Sequence, residues 1–184
     1  MIIIEGPDNS GKSTLIDSLV KDFNLLIADK PHGPPKNVSD LVSRTSKLLL
    51  RQDSQRYILD RHPLFSEAIY GPILRNKNLW DEDKLTKEAL LTILDNANSE
   101  GTVFIIYCRP PDEVVLNLNT HQVKSYDTAE HLEGLKNKSH EILEAYDNLM
   151  SSWADFKYNY KEKDSYKLLT QKLRKEYFHE RECY

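Results

Sequence analysis

The stretch that decides the fold is MIIIEGPDNSGKSTL, residues 1–15. An apolar run leads into Gly6, and after four further residues come Gly11, Lys12 and Ser13, followed by the start of an amphipathic pattern. The spacing G-x-x-x-x-G-K-[ST] between a strand and a helix is typical of a phosphate-binding loop (P-loop), in which backbone N–H groups surround polyphosphate oxygens. We therefore expect Lys12 to bridge the β- and γ-phosphates and the Ser13 hydroxyl to bind Mg²⁺.

Length and composition limit the class of protein. The chain has 184 residues, 39% of them hydrophobic, which predicts one compact domain over residues 1–184. The net charge of −4 predicts no extended positive surface, and therefore neither a nucleic-acid nor an anionic membrane partner. Cys108 and Cys183 match no zinc or redox spacing, and the apolar runs are too short to span a bilayer. We therefore expect a soluble, cytoplasmic protein.

Apolar runs and amphipathic segments alternate along the chain. The runs predict strands at residues 2–5, 25–29, 56–60, 102–108 and 156–160. The other segments predict helices at residues 12–23, 37–51, 62–74, 79–98, 112–118, 128–153 and 164–178, with a break at Gly71-Pro72. This order predicts an α/β fold of three layers, with helices on both faces of a five-stranded parallel sheet. The polar segment 119–128 is typical of a short lid over a ligand site.

A P-loop indicates a nucleoside triphosphate but leaves the reaction open. The sequence has no N-K-x-D guanine motif, and the chain is short and acidic for a motor ATPase or a DNA helicase, which favours a small phosphotransferase. The segments I-I-E-G-P-D-N-S-G-K-S-T-L (residues 3–15) and L-D-R-H-P-L-F-S-E-A-I-Y-G (residues 59–71) resemble the thymidylate kinase branch of the nucleoside monophosphate kinases. The similarity is strongest to the short versions encoded by bacteriophages.

The resemblance implies a P-loop NTPase fold and transfer of the γ-phosphate of ATP to a deoxynucleoside 5′-monophosphate, with Mg²⁺ as cofactor. It also leads us to expect a homodimer, located in the host cytoplasm if a phage encodes the protein. The residues expected to contact ATP in the P-loop are Gly6, Asn9, Ser10, Gly11, Lys12, Ser13 and Thr14.

The resemblance also assigns roles around the transferring phosphate. Asp8 matches the family carboxylate that accepts a hydrogen bond from the 3′-hydroxyl of the acceptor, and Arg61 matches the arginine that clamps the acceptor phosphate. Independently of the family, a carboxylate such as Asp60, at the end of a strand beside the P-loop strand, can hold Mg²⁺ through water. We expect Lys12, Asp60 and Arg61 to be catalytic, with Ser13 and Asp60 holding the metal.

Further acceptor contacts are implied by the segments around these residues. Arg44 resembles the family arginine that reaches the acceptor phosphate or base, and His32 occupies a loop that carries another phosphate contact in the family. Ser66 keeps the family register in S-E-A-I-Y-G, but Ile69 stands where an aromatic residue usually packs against the deoxyribose, with Tyr70 beside it. This departure leaves the accepted base open.

A second departure concerns the cation over the transferring phosphoryl group. The family supplies an arginine there from the P-loop or the lid, whereas this chain has Asn9 in the loop and no arginine in residues 119–128. The cation is therefore expected to be Lys124 of the lid or Arg109 at the end of the fourth strand. Loss of such a clamp lowers the rate by on the order of 10³-fold, so normal turnover of both Lys124→Ala and Arg109→Ala would contradict this expectation.

Three alternatives stay open at this point. A deoxynucleoside kinase would phosphorylate a 5′-hydroxyl and would need a carboxylate base, for which Glu5 or Asp60 is available. A non-catalytic module would bind a nucleoside triphosphate without turning it over. A kinase acting on a modified base within DNA would need a basic groove that the net charge does not indicate. A comparison of nucleosides with nucleotides as acceptors separates the first alternative from the main prediction.

Overall fold

The fold is built on a parallel sheet, seen in a computed structural model that describes residues 1–28, 33–50, 56–117 and 129–179. Its strands run in the order β2-β3-β1-β4-β5. They are β1 (Ile2–Glu5), β2 (Leu26–Ile27), β3 (Tyr57–Asp60), β4 (Phe104–Cys108) and β5 (Phe156–Tyr158). Ile4 of β1 is in register with Asp60 of β3 on one side and with Ile106 of β4 on the other. The carboxyl ends of β3, β1 and β4 therefore meet at one edge.

Helices cover both faces of the sheet, which confirms the predicted three-layer α/β fold. The side chain of Ile3 packs in one core cluster, with residues of α2, α3, α4 and α7, whereas Ile2 and Ile4 pack in a second cluster with α1 and α8. The helices are α1 (Lys12–Phe23), α2 (Val38–Leu49), α3 (Pro63–Arg75), α4 (Lys84–Ser99), α5 (Asp112–Val115), α6 (Ala129–Asn137), α7 (Ser139–Trp153) and α8 (Ser165–Lys172). A 3₁₀ helix (Leu79–Glu82) precedes α4, and a π-helical turn (Leu173–Tyr177) follows α8. Across the described ranges, no helix is both long and apolar enough to span a bilayer.

The predicted break at Gly71-Pro72 is wrong, because α3 continues through both residues to Arg75. Glycine is required at position 71 by close packing, since a Cβ there would lie 2.7 Å from both the Glu67 carboxylate and the Lys77 carbonyl oxygen. The helix ends at Asn76, whose φ of 50° leaves the helical region.

Two other predicted helices are divided in the structure. The segment predicted as 79–98 begins as the 3₁₀ helix, and α4 starts only where the Asp83 side chain accepts the Thr86 N–H. The segment predicted as 128–153 is α6 and α7, which are separated at Lys138. There the Ser139 hydroxyl donates to the Lys136 carbonyl at 3.2 Å, which competes with the backbone hydrogen bonds of a continuous helix.

His62 connects the sheet edge to α3 and is fully buried. Its Nδ1 accepts the Leu64 N–H at 3.3 Å as the N-cap of α3, and its own backbone N–H donates to the Glu5 carboxylate. Burial disfavours the charged imidazolium and lowers the pKa of His62 to about 3 from its ordinary 6.5. The histidine is therefore neutral in the folded protein at neutral pH.

This burial predicts a pH-dependent stability. Between pH 8 and pH 5 the unfolded chain binds a proton at His62 and the folded chain does not, so His62 removes about 2 kcal/mol of the free energy of unfolding. Urea denaturation at pH 8, 6.5 and 5 measures the slope. His62→Asn, which keeps a side-chain oxygen for the N-cap but does not titrate, should show a flatter slope. The same slope in both proteins would contradict the assignment.

Candidate active site

The P-loop connects β1 to α1 and has a backbone that glycine makes possible. Gly6 and Gly11 have φ values of 144° and 82°, and Asn9 has a φ of 62°. A Cβ at Gly6 would lie 2.6 Å from the Cys108 carbonyl oxygen, so the loop crosses the end of β4 in close contact. Within the described residues, no side chain caps the N-terminus of α1 and no acidic residue lies in its first turn. The first N–H groups and the helix dipole at this terminus favour an anion.

Lys12 lies inside the loop with 8% of its surface exposed. Its Nζ donates to the Pro7 carbonyl and lies 3.3 Å from the Ser10 hydroxyl. Burial, aided by the charge of Arg61, lowers the pKa of Lys12 to about 8, although Asp8 and Asp60 act in the opposite direction. Phosphate oxygens beside Nζ would stabilise the ammonium form, so this environment favours a polyanion.

Asp8, Arg61 and Tyr70 form a cluster beside the P-loop, which we call the acceptor cluster. An Arg61 terminal nitrogen forms an ion pair with an Asp8 carboxylate oxygen at 3.0 Å. The Arg61 Nε donates to the Gly6 carbonyl at 3.2 Å, and the Tyr70 hydroxyl donates to the other Asp8 oxygen at 2.9 Å. The guanidinium carbon lies 5.0 Å from the centre of the Tyr70 ring.

The charges of this cluster stabilise one another. Burial alone would raise the pKa of Asp8, but the charges of Arg61 and Lys12, with hydrogen bonds from Arg61 and Tyr70, hold it well below its usual range. Burial also opposes the charge of Arg61, yet Asp8 keeps its pKa above the ordinary value. Arg61 is therefore a permanent cation, fixed beside the predicted phosphate-binding loop.

A second group of residues lies at the ends of β4 and β5. The Arg109 guanidinium makes two hydrogen bonds of 2.8 Å to the Asp147 carboxylate, one to each oxygen, and pairs with Asp112 at 2.7 Å. It borders a cavity of about 410 Å³, which we call the donor pocket. The pocket is lined by Arg109, Pro110, Pro111, Lys157, Asn159 and Glu162. The hydrogen bonds to Asp147 raise the pKa of Arg109.

The two chain segments that line the donor pocket also contact the P-loop. A Cβ on Gly11 would lie 2.9 Å from the Tyr160 ring, which places the loop after β5 directly against Gly11. The Asn9 amide donates to the carbonyls of Val114 at 2.7 Å and Asn117 at 3.1 Å, at the end of α5. The P-loop therefore contacts both segments that flank the pocket.

The structure brings several sequence-predicted residues together and separates others. Asp8, Lys12, Asp60, Arg61 and Tyr70 lie at the same sheet edge, since the charge of Asp60 acts on both Lys12 and Arg61. Ser13 and Thr14 are exposed in the first turn of α1. The roles of these residues remain predictions.

The structure describes three of the other predicted acceptor residues, Ser66, Ile69 and Arg44. Ile69 is buried in the core cluster that contains Ile3, and the Ser66 hydroxyl donates within α3 to the His62 carbonyl at 3.2 Å. The Arg44 guanidinium is bound to Asp40 and to the Gly33 carbonyl. His32, Lys124 and the lid segment 119–128 lie outside the described residues.

The charge of Arg109 is balanced in this conformation. Asp147 and Asp112 both bind its guanidinium, so acting as the cation over a phosphoryl group requires Arg109 to exchange a partner. That role stays a prediction. Tyr160, Asp147 and Tyr107 were not identified from the sequence; an aromatic residue shortly after a strand that ends at the ligand edge was the available signal for Tyr160.

The residues at the sheet edge fit Mg²⁺ carried by a nucleotide. Among the described residues, no group of three His, Cys, Asp or Glu side chains could hold a metal ion. Mg²⁺ that is bound together with phosphates needs only one or two protein ligands and keeps several waters. The Ser13 hydroxyl at the start of α1 and the Asp60 carboxylate at the end of β3 supply that number and type of ligand.

The fold is shared with solved structures of known proteins. No protein-family model matches the chain, and no curated protein sequence matches it. YorR from Bacillus subtilis, solved in complex with phosphorylated GDP, is 22% identical, with 98% of this chain and 99% of YorR covered and a TM-score of 0.70. Deoxyadenosine kinase from M. mycoides, solved with bound dATP, is 17% identical, with 94% and 98% covered and a TM-score of 0.59. These similarities show that the chain has the three-layer fold of these nucleotide-binding proteins.

The contact between Gly11 and Tyr160 predicts the effect of a single methyl group. Gly11→Ala should weaken binding of the ATP analogue AMP-PNP at least about tenfold, because the new Cβ collides with Tyr160 and strains the loop amides. Isothermal titration calorimetry measures the affinity. Gly33→Ala is the matched control, since Gly33 also has a positive φ, of 75°, but nothing within 4 Å of its Cβ position. Unchanged affinity of Gly11→Ala would contradict the prediction.

Proposed function

We propose that the protein transfers the γ-phosphate of ATP to the phosphate of a deoxynucleoside 5′-monophosphate, with Mg²⁺ as cofactor. The observation that carries this proposal is the position of Arg61, which is partly buried, permanently charged and fixed beside the P-loop. A second phosphate, belonging to the acceptor, accounts for a guanidinium at that place, because its planar fork matches phosphate oxygens.

The donor side is supported by the P-loop and the donor pocket. The loop amides and Lys12 would hold the triphosphate, while the nucleobase would extend into the donor pocket past Tyr160. Ser13 and Asp60 would hold the Mg²⁺, which supplies charge neutralisation at the phosphate oxygens when it is bound. The fold of deoxyadenosine kinase and YorR is compatible with this assignment.

Catalysis in this proposal depends on position and charge. An acceptor phosphate oxygen is already anionic, so it can attack the γ-phosphorus without a general base. Arg61 would orient the acceptor phosphate, and Lys12 would offset the charge that spreads over the transferring oxygens. Asp8 would accept a hydrogen bond from the acceptor 3′-hydroxyl, since its two carboxylate oxygens have acceptor sites beyond those used by Arg61 and Tyr70.

A deoxynucleoside kinase is the second candidate, and Glu5 favours it. Glu5 ends β1 next to the P-loop, is fully buried, and accepts the His62 N–H with one carboxylate oxygen. A carboxylate in this position could take the proton of a 5′-hydroxyl during attack on ATP. The structural similarity to deoxyadenosine kinase is compatible with this candidate as well.

A coupled ADP-release assay separates the two candidates. With ATP and Mg²⁺, the proposal expects turnover with at least one of dTMP, dAMP, dCMP and dGMP, and little with the matching nucleosides. Glu5→Gln, which keeps the oxygen that accepts the His62 N–H, should leave this turnover within about threefold of the wild type because no general base is needed. Turnover of nucleosides that Glu5→Gln abolishes would overturn the proposal in favour of the nucleoside kinase. Binding of ATP without any turnover would indicate a binding module.

Replacement of Arg61 tests the acceptor clamp directly. Arg61→Lys keeps a positive charge but loses the planar fork, so the KM for the monophosphate should rise about tenfold or more while the KM for ATP changes little. Steady-state kinetics with each substrate varied in turn measure both constants. Arg75→Lys is the control, because Arg75 also pairs with a carboxylate, that of Glu67, but at the C-terminal end of α3. Equal effects of the two replacements would contradict the role of Arg61.

A further inference from the structure

Three tyrosines fill the space between the donor pocket and the acceptor cluster. Tyr107 comes from β4, Tyr146 from α7 and Tyr70 from α3. The rings of Tyr107 and Tyr146 are stacked, with centroids 6.2 Å apart and planes 13° apart. Tyr146 meets Tyr70 edge to face at 6.0 Å. We call these three residues the tyrosine bridge.

Both ends of the tyrosine bridge are hydrogen-bonded to site residues. At the donor end, the Tyr107 hydroxyl donates to Asp147 at 2.8 Å, and the same carboxylate oxygen accepts from Nε of Arg109 at 2.8 Å. At the acceptor end, the Tyr70 hydroxyl donates to Asp8 at 2.9 Å. A continuous series of packed and hydrogen-bonded groups therefore joins Arg109 to Asp8.

The tyrosine bridge is rigid because its rings are closely packed and two of them are buried. Tyr107 and Tyr146 are 3% and 0% exposed, and closely packed interiors transmit a displacement of one ring to the next. Asp147 is the next residue after Tyr146 in α7, so a movement of Asp147 that shifts α7 also moves the ring of Tyr146. Burial raises the pKa of the tyrosine hydroxyls, which therefore stay protonated and donate at neutral pH.

We infer that Asp147 and Tyr107 are positioning residues that couple occupancy of the donor pocket to the geometry of the acceptor cluster. This inference rests on the proposed function. A donor base that contacts Arg109 changes the hydrogen bonds between Arg109 and Asp147. The resulting shift of Asp147 is transmitted by the tyrosine bridge, through Tyr70, to Asp8 and Arg61. Donor and acceptor should then bind with positive coupling, in which each ligand increases the affinity for the other by the same factor.

The test measures this coupling factor by calorimetry. The acceptor probe is whichever of dTMP, dAMP, dCMP and dGMP has the highest turnover in the ADP-release assay, titrated with and without saturating AMP-PNP. The wild type should bind it about fivefold or more tightly when AMP-PNP is present. Tyr107→Phe keeps the stacked ring but removes the hydrogen bond to Asp147, so its ratio should fall to within about twofold of one.

A matched variant controls for the loss of a tyrosine hydroxyl. Tyr166→Phe removes a 2.7 Å hydrogen bond from a tyrosine to Asp22, on the other face of the sheet, and should keep the wild-type ratio. Asp147→Asn gives a second readout, because it removes the charge that pairs with Arg109 from a side chain that is 38% exposed; its ratio should also fall. Melting temperatures of all variants separate lost stability from lost coupling.

The failures can be told apart. A wild type that shows no turnover with any of the four monophosphates overturns the proposed function, and the inference falls with it. A wild type that phosphorylates one of them but binds it equally with and without AMP-PNP overturns the inference alone. Ratios in Tyr107→Phe and Asp147→Asn that equal the wild-type ratio also overturn the inference and leave the proposed function standing.

Discussion

The position of β1 between two parallel partners is the constraint on which the rest of the structure depends. Pairing with β3 and β4 fixes Ile4 opposite Asp60 and Ile106, so three strand ends lie side by side at one edge. The P-loop leaves that edge so close to β4 that only a glycine fits over the Cys108 carbonyl. A one-residue shift in the register of β1 against β3 would move Asp60 and Arg61 relative to the loop by about 3.3 Å, which is larger than any hydrogen bond tolerates.

Desolvated charge is the second organising feature of the site. Lys12 is a buried cation and Arg61 is a partly buried one, and the acidic groups around them balance their charge in the folded protein. The charge balance differs between Lys12 in the P-loop and Arg61 in the acceptor cluster. Arg61 is held by Asp8 and stays charged, whereas the lower pKa of Lys12 leaves it dependent on added negative charge. The donor phosphates would therefore meet the less stabilised cation, and the acceptor phosphate the fixed one.

Local sequence patterns predicted the layers and the P-loop because those features depend on short-range periodicity and on glycine spacing. The five strands, the helix after the P-loop and the Asp60-Arg61 pair lie where the patterns placed them. The pattern failed at Gly71-Pro72, where a contact with Glu67 that sequence spacing does not reveal decides the backbone. Periodicity also does not fix which apolar residues of α4 are buried, since Leu85 and Ile93 are 81% and 45% exposed. The resemblance pointed to Ile69, which packs in the core, while Tyr70, one residue later, contacts Asp8.

The contacts of Arg109 with Asp147 and of Gly11 with Tyr160 join residues far apart in the chain, so no local pattern encodes them.

The close contact between Gly6 and Cys108 has a consequence for how the chain acquires its site. The loop that would bind phosphate lies within the first thirteen residues, yet the strand that supports it is about a hundred residues later. Closing so large a loop is slow and entropically costly, so the P-loop must wait for β4 before it reaches its final shape. During synthesis the nascent chain would carry an intact P-loop sequence, without a phosphate site, until β4 has left the ribosome. With the proposed function, affinity for nucleotide would be a late event of folding, and bound nucleotide would stabilise the chains that have completed the sheet.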